Sequence, residues 1–317
     1  MKSFATALEP VSPYDFDLTA SYDTYFRGDY GADSYREGVF RRLLEIRGRP
    51  CLVAVRSLGT VDSPLLEMRL QGPALDWKVR EEAQRQVGWL LGLEQDMTPF
   101  YEMALEDPVL SPLVRGLRGL HVPRTVSVYE ALVLAILGQQ ISSHVARMLR
   151  TSLIRTYGRP LEVSGVTYHA FPGPEAVAAS GAEKLRAIKL STGKAESILD
   201  ISSRAASGDL DLEALRSRSD EEVIAVLTGL RGVGPWTAQW LLIRGLGRPD
   251  AFPHLDLALR RALAALMGDD GLLNPKEALS YSRRWSPFRS HVTAYVFGAT
   301  RSDRFTALIR APEQRPL

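Results

Sequence analysis

The stretch LRGVGPWTA at residues 230–238 decides the fold. A tight Gly-x-Gly turn lies here between two segments with a helical pattern, and Gly229 or Gly232 can take a positive φ at no steric cost. Pro235 suits the first position of the second helix, because a backbone N–H there would have no partner. The backbone amides of residues 232–236 then point out of a helix N-terminus, which favours an anion. The turn can therefore hold a phosphate without a basic side chain.

The same turn has two simpler interpretations. A plain helix–turn–helix corner occurs in many proteins, and the turn residues alone do not distinguish it from a phosphate site. A glycine-rich dinucleotide loop requires a preceding strand, whereas residues 220–230 have a helical pattern that Asp220 can cap. A backbone contact to a phosphate reads no base edge, so such a turn positions a nucleic acid without selecting its sequence.

The composition sets broad limits on the class of protein. A chain of 317 residues has room for about two domains. Its single cysteine, Cys51, excludes an internal disulfide and an iron–sulfur cluster held by four cysteines of this chain. The net charge of +2 permits a nucleic-acid partner without indicating one. The first residues do not have the pattern of a signal peptide, and the most apolar run, residues 131–137, is too short to cross a bilayer. We therefore expect a cytoplasmic protein without a membrane segment.

The hydrophobic pattern predicts an α+β N-terminal domain over residues 1–94 and a mainly helical region over residues 95–317. Alternating apolar residues at 14–18 and 66–70, a short apolar run at 51–55 and the segment 39–46 predict the strands of an antiparallel sheet. Helical spacing predicts one amphipathic helix beside it. The predicted strands are 14–18, 39–46, 51–55 and 66–70, and the helix is 75–91. The helices predicted further on are 128–137, 141–149, 185–206, 220–230, 235–244, 257–267 and 287–298. Residues 311–317 are expected to form a frayed tail.

Asp256 stands directly before the helix predicted at residues 257–267. A carboxylate there can cap the helix, and the amides that it accepts keep it ionised. A fixed negative charge can stabilise a positive charge that develops in a reaction, or orient a water molecule. Arg260 lies one helical turn later and can pair with Asp256. Asp256 is therefore a better candidate for a catalytic carboxylate than its neighbours His254 and Asp250.

Four features together resemble the helix-hairpin-helix DNA glycosylase superfamily, and most closely its 3-methyladenine DNA glycosylase II branch, the bacterial AlkA type. They are the hairpin, Asp256, GQQIS at residues 138–142 and WSPFRS at residues 285–290, in the family's order. The α+β N-terminal domain fits that branch as well. The resemblance implies a helix-hairpin-helix glycosylase region of two helical lobes with the active-site cleft between them. It also implies a nucleoid-associated monomer that acts on double-stranded DNA containing alkylated bases.

The resemblance implies that Asp256 promotes hydrolysis of the bond between deoxyribose and an extruded alkylpurine such as 3-methyladenine. Family members that also cleave the strand carry a lysine at the position of Trp236, and tryptophan cannot form a Schiff base. This implies a monofunctional enzyme that leaves an abasic site. The implied base pocket contains Trp236, Trp240, Trp285 and Leu257, and an indole face would attract a cationic base by about 0.5–2 kcal/mol. Leu257 and Trp240 replace tyrosines of the family, which leaves the substrate range open.

The resemblance also implies a set of DNA contacts. Gln140 takes the position of the wedge that fills the gap left by the extruded base. Further contacts are implied for Gln139, Ile141, Gly232, Val233, Gly234, Thr237, Arg289 and Ser290. A structural monovalent cation is implied at the backbone carbonyls of Thr228, Leu230 and Val233. Catalysis is expected to need no cofactor.

Two other functions stay open at this point. The chain could be a DNA-binding module that uses the same hairpin without catalysis. It could also be a glycosylase-lyase with a lysine elsewhere, such as Lys189 or Lys194, as its nucleophile. Replacement of Asp256 by asparagine tests the first alternative, and borohydride trapping of a covalent DNA adduct tests the second.

Overall fold

The N-terminal domain is an antiparallel sheet covered by a helix. The computed structural model describes residues 1–23, 29–30 and 32–301, and for residues 29 and 30 it describes the backbone alone. The elements of this domain are β1 (Lys2–Leu8), α1 (Phe16–Ser21), β2 (Asp29–Tyr30), β3 (Asp33–Arg36), β4 (Val39–Ile46), β5 (Arg49–Ser57), β6 (Leu66–Gly72) and α2 (Trp77–Leu90). The strands pair in the order β1-β6-β5-β4-β3-β2, and each neighbouring pair is antiparallel.

The hydrophobic pattern explains how α2 packs on this sheet. Because side chains alternate across a strand, β6 buries every second residue, namely Leu66, Met68 and Leu70. The helix buries one stripe at helical spacing, namely Val79, Ala83, Val87 and Leu90. Asp76 caps α2, since its Oδ1 accepts the Val79 amide at 2.9 Å. The predicted α+β architecture is confirmed.

After residue 94 the chain is mainly helical, as predicted. The helices are α3 (Thr98–Glu106), α4 (Ser111–Gly116), α5 (Val128–Gly138), α6 (Ser143–Tyr157), α7 (Pro174–Ala178), α8 (Gly181–Ala187), α9 (Thr192–Ser207), α10 (Asp220–Thr228), α11 (Pro235–Arg244), α12 (Leu257–Leu266), α13 (Pro275–Ser282) and α14 (Arg289–Arg301). Two 3₁₀ turns, Glu213–Ser217 and Arg283–Trp285, and a hairpin of β7 (Pro160–Val163) and β8 (Val166–His169) accompany them. Within the described ranges, none of these helices is both long and apolar enough to span a bilayer.

One predicted strand is wrong, and the strands β1, β2, β3, β7 and β8 were not predicted. Residues 14–18, predicted as a strand, lead into α1 instead, because the Asp15 carboxylate caps that helix through the Leu18 amide at 2.9 Å. The β7–β8 hairpin was not predicted, because each of its strands has only four residues and one mostly exposed face. Strand β4, in contrast, has the predicted bounds of 39–46.

Helix ends account for the other differences. The helix predicted at 185–206 is two helices, because Ser191 caps a new helix, α9, through the Lys194 amide. Ser219 rather than Asp220 caps α10, through a reciprocal capping box with Glu222. The last helix begins at Arg289, two residues later than predicted. The predicted tail, residues 311–317, lies outside the described residues.

A buried ion-pair cluster joins the sheet to α5. Arg42 of β4 contacts Asp33 of β3 through Nη1 at 2.7 Å, and its Nη2 donates to both carboxylate oxygens of Glu130 on α5 at 2.7 and 2.6 Å. None of the three side chains is more than 5% exposed. Burial raises the pKa of Asp33 above its ordinary value, although the charge of Arg42 opposes this shift. The guanidinium of Arg42 therefore compensates two buried carboxyl groups at the junction of the two regions.

Candidate active site

The hairpin between α10 and α11 depends on Gly232, whose φ is +75°. A β-carbon at this position would lie 2.3 Å from the hydroxyl oxygen of Ser197 on α9, so both backbone conformation and space require glycine. Gly234 is the N-cap of α11, no side chain caps this helix, and Pro235 lies in its first turn. The N-terminus of α11 therefore keeps backbone amides for an anion.

The Val233 amide is not part of that anion site. It donates to the Leu230 carbonyl at 3.2 Å within the turn, which corrects the prediction that it contacts DNA. A carbonyl oxygen has a second lone pair, so this hydrogen bond is compatible with a cation at the carbonyls of Thr228, Leu230 and Val233. In the part of the chain that the structure describes, no group of His, Cys, Asp or Glu side chains is arranged to hold a metal.

We expect Gly232→Ala to lower the free energy of unfolding by about 1–3 kcal/mol, because alanine would have to adopt a strained φ and displace the Ser197 hydroxyl. Gly234→Ala is the matched control, since Gly234 has a φ of −106° and no atom lies within 4 Å of an added β-carbon. Urea denaturation measures both variants. Equal stability of the two would show that the turn tolerates a side chain at position 232.

Gln139 ties the end of α5 to the hairpin. Its Nε2 donates to the Gly232 carbonyl at 2.8 Å and to the Thr237 hydroxyl at 2.9 Å. Lys194 of α9 donates to the carbonyls of Leu137 and Gln139 at 2.9 and 2.7 Å, which satisfies the C-terminal end of α5. The Gln139 carboxamide and the Thr237 hydroxyl therefore have structural roles, and Thr237 is only 1% exposed. The DNA contacts predicted for these two residues stay predictions, and for Thr237 the backbone amide at the N-terminus of α11 is the group that could make one.

Gln140, the predicted wedge, follows this anchored residue. Its side chain is exposed, and its φ of +55° is uncommon for a residue other than glycine. Ser142 then caps α6 through the Val145 amide at 3.3 Å. The backbone is thus fixed on both sides of Gln140, so a short, anchored segment presents this side chain to solvent.

Asp256 is held by three hydrogen-bond donors. Its Oδ1 accepts the Leu259 amide at 2.9 Å, which makes it the predicted N-cap of α12. Its Oδ2 accepts the indole Nε1 groups of Trp236 at 2.8 Å and Trp240 at 3.3 Å. Arg260 does not pair with it, contrary to prediction, and instead donates to the Leu273 carbonyl at 2.8 Å. Both oxygens of the carboxylate are therefore fixed in direction by neutral donors.

A cleft of about 800 Å³ opens beside this carboxylate. Most of its lining residues belong to α5, α6, α11, α12 and α14. Its apolar and aromatic lining includes Leu134, Leu137, Ile141, Trp236, Trp240 and Phe297. The rings of Trp236 and Trp240 are 6.2 Å apart at 64°, and Trp240 lies 5.5 Å from Phe297. The carboxylate thus lies at a cleft with aromatic walls.

Trp285 lies outside this cleft, which corrects the prediction that it forms part of the pocket. It is fully buried, and its Nε1 donates to the Asp107 carboxylate at 2.8 Å. Its ring packs edge-on against Phe252 and Tyr281. Trp285 belongs to a 3₁₀ turn that precedes α14, and there it is a core residue.

Phe297, which sequence reasoning missed, lines the cleft instead. Helix α14 is buried at Ser290 and at every position from Val292 to Ala299. Such a segment has no amphipathic pattern, so nothing in the sequence separates the one aromatic side chain that borders the cleft from its core neighbours.

The two residues predicted near a phosphate on α14 are already engaged. Arg289 donates through Nε and Nη2 to the two carboxylate oxygens of Asp250, each at 2.7 Å. Ser290 is 2% exposed and exchanges hydrogen bonds with the backbone of Ala251, which gives its side chain a structural role. Leu257 is 51% exposed beside Asp256 but is not among the residues that line the cleft.

We expect Trp236→Phe to slow the reaction of this site about tenfold or more, because phenylalanine keeps an aromatic wall but removes a hydrogen bond to a charged group, typically about 1.5–3 kcal/mol. Trp77→Phe is the control, since Trp77 is exposed and remote in sequence from the cleft residues. Single-turnover kinetics measure the effect. An unchanged rate would mean that Trp240 and the Leu259 amide suffice to orient the carboxylate.

Comparison with known proteins agrees with this site. Residues 133–287 match the HhH-GPD superfamily base excision DNA repair protein family. The DNA-3-methyladenine glycosylase of Bacillus subtilis (strain 168) is 35% identical over 225 residues, which are 71% of this chain and 74% of that one. The probable N-glycosylase/DNA lyase of Methanothermobacter thermautotrophicus is 26% identical over 314 residues, 92% of this chain and 95% of that one. The structure of the 3-methyladenine DNA glycosylase from Archaeoglobus fulgidus aligns with a TM-score of 0.81 at 27% identity, covering 92% of this chain and 97% of that one.

The chain therefore belongs to the HhH-GPD superfamily of base excision DNA repair proteins. Within that superfamily it is a DNA glycosylase of the AlkA type, which confirms the resemblance seen in the hairpin and in Asp256.

Proposed function

We propose that this glycosylase hydrolyses the N-glycosidic bond of alkylated purines, such as 3-methyladenine, in duplex DNA and leaves an abasic site. The observation that carries the proposal is the Asp256 carboxylate, which three donors fix beside a cleft walled by Trp236, Trp240 and Phe297. The position next to a phosphate-binding hairpin supports DNA as the substrate.

The carboxylate suits a dissociative hydrolysis. As the bond between C1′ and the base nitrogen breaks, its electron pair leaves with the base, and positive charge develops on C1′ and the ring oxygen. Asp256 stabilises that charge from a fixed position. A water oxygen then bonds to C1′, and the proton that the water loses can pass to the same carboxylate. Because N-alkylation makes the base a cationic leaving group, the enzyme has to supply only part of the acceleration.

The base must leave the helix to reach this cleft. We infer that the amides at the N-terminus of α11 hold a backbone phosphate, and that Gln140 fills the gap in the base stack. The exposure of Gln140 and its anchored backbone support this role. The aromatic rings would then receive the extruded base, and an indole face favours a cationic base over a neutral one.

A lyase mechanism is less well supported. No lysine is found among the described residues that line the cleft. By the family resemblance, Trp236 also stands where the strand-cleaving members carry a lysine. Burial lowers the pKa of Lys194, which would favour a nucleophile. Its amine, however, donates to two carbonyls at the end of α5, and its side chain does not line the cleft. Lys189 is exposed and does not line it either.

We also propose that the enzyme works as a monomer in the cytoplasm, associated with the nucleoid, and needs no catalytic cofactor. One copy of the chain supplies the carboxylate, the aromatic walls and the hairpin. A monovalent cation at the carbonyls of Thr228, Leu230 and Val233 would support the turn and would take no part in the chemistry.

The test is base release by the purified full chain from methylated duplex DNA, with the free bases separated by chromatography. We expect 3-methyladenine and 7-methylguanine to be released, strand breaks to appear only after alkali, and borohydride to trap no adduct. A chain that binds duplex DNA but releases no base would be a binding module. A trapped covalent adduct would establish the lyase mechanism instead.

A further inference from the structure

The deep part of the cleft carries an ion pair between the two domains. Trp236, Trp240 and Arg244 are four residues apart on α11 and share one face of the helix, and all three line the cleft. With a rise of about 1.5 Å per residue, Arg244 lies roughly 12 Å along the helix from Trp236. There its Nη2 donates to the carboxylate of Asp23, which also lines the cleft.

Asp23 is the contribution of the N-terminal domain to this cleft. It follows α1 directly, and the preceding residue, Tyr22, is buried in the core of the helical region, with its hydroxyl 3.2 Å from the Ala294 carbonyl. Arg244 also lies over the Tyr22 ring, at 5.7 Å from its centroid. The position of Asp23 is therefore fixed by packing from both regions of the chain.

The two charges of the pair depend on each other. Their side chains are only 16% and 18% exposed, and the Arg244 Nε has no hydrogen-bond partner among the described residues. Burial would raise the pKa of Asp23, but the charge and hydrogen bond of Arg244, together with the charges of Arg150 and Arg301, outweigh burial and hold this pKa below its ordinary value. Asp23 is thus ionised at neutral pH and compensates the guanidinium.

This compensation matters because Arg244 lines the same cleft as the rings of Trp236 and Trp240. An uncompensated guanidinium in a partly buried cleft repels a cationic ligand, whereas a neutral ligand is not affected in this way. Aromatic walls alone would therefore not make the cleft favourable for a cation.

We propose that Asp23 is a specificity-determining residue, which neutralises Arg244 at the floor of the base pocket and so allows the cleft to accept cationic alkylated bases. This inference rests on the proposed glycosylase function and assigns a role to the N-terminal domain. On this proposal, the preference for charged over neutral bases depends on the Asp23–Arg244 pair as well as on the aromatic rings.

The test is single-turnover release of cationic 7-methylguanine and of neutral hypoxanthine from matched duplexes. Asp23→Asn should slow release of 7-methylguanine by at least about tenfold, with a much smaller effect on hypoxanthine. Arg244→Met and the double variant should each release 7-methylguanine at least about fivefold faster than Asp23→Asn does, since neither leaves an unpaired guanidinium. The matched control is Asp62→Asn, which breaks the exposed pair of Asp62 with Arg118 between the same two regions.

The decisive comparison is between the rates at which Asp23→Asn and Arg244→Met release 7-methylguanine. Thermal melting shows whether each variant is folded. Equal slowing of both bases by Asp23→Asn, or slowing of 7-methylguanine by Arg244→Met as severe as that by Asp23→Asn, would mean that the pair is only structural. Wild-type protein that releases no methylated base at all would overturn the proposed function itself, which is a distinct result.

Discussion

Asp256→Asn is expected to slow base release by about 10³-fold, because the substitution removes the fixed negative charge that faces the developing positive charge on the sugar. Asparagine can still cap α12 by accepting the Leu259 amide. Its amide nitrogen would then face the indole N–H groups of Trp236 and Trp240, which are donors as well. We therefore expect a folded protein with an inactive site and unchanged affinity for DNA.

The measurement is single-turnover release of 7-methylguanine, together with a titration of DNA that contains a stable abasic analogue. Asp269→Asn is the matched control, since Asp269 is exposed and bonds only locally, to the Gly271 amide. A folded Asp256→Asn protein that released base at the wild-type rate would remove this carboxylate from the chemistry. Loss of both release and folding would call for Asp256→Ser, which keeps an acceptor for the helix cap and has no charge.

Arg42→Met is expected to lower the free energy of unfolding by about 3–5 kcal/mol, because the buried carboxyl groups of Asp33 and Glu130 lose the guanidinium that pairs with both. Chemical denaturation of the full chain measures this loss. The matched control is Arg49→Met, which breaks the exposed surface pair with Asp76 and should leave the stability nearly unchanged.

A triple variant separates the charge from the packing of this cluster. Arg42→Met combined with Asp33→Asn and Glu130→Gln removes all three charges, and we expect it to recover a large part of the lost stability. If the triple variant were as unstable as Arg42→Met alone, the shape of the arginine side chain, and not its charge, would join the sheet to α5.

The fold could be predicted where local rules decide the structure. The bounds of β4 and α11 follow from local sequence, because Gly38 and Gly48 limit the strand and Pro235 and Gly245 limit the helix. The first strand-like pattern failed because Asp15 caps a helix that has only six residues, too few for a helical period to show. Capping by Ser191 likewise divided a segment whose apolar spacing suggested one helix.

Single residues of the site could be predicted from the sequence, but the contacts between them could not. Asp256 was found because a carboxylate before a helix has a local signature, and its N-cap geometry followed from that signature. Trp285 was misplaced because its partner, Asp107, is 178 residues away in the sequence. Asp23 and Phe297 were missed for the same reason, since both reach the cleft only through packing between distant segments. These contacts join residues that are far apart in the sequence, and a single sequence does not show which distant residues will meet.

The indole N–H groups of Trp236 and Trp240 have a consequence for which lesions are repaired. An indole has one donor and no acceptor, and Asp256 takes both donors. The two rings can therefore offer an incoming nucleobase only their faces, and they cannot distinguish an amino group from a carbonyl on its edge. We expect damaged adenine and damaged guanine to be admitted alike. The rate at which each lesion is excised should then follow the lability of its sugar–base bond rather than the identity of the base.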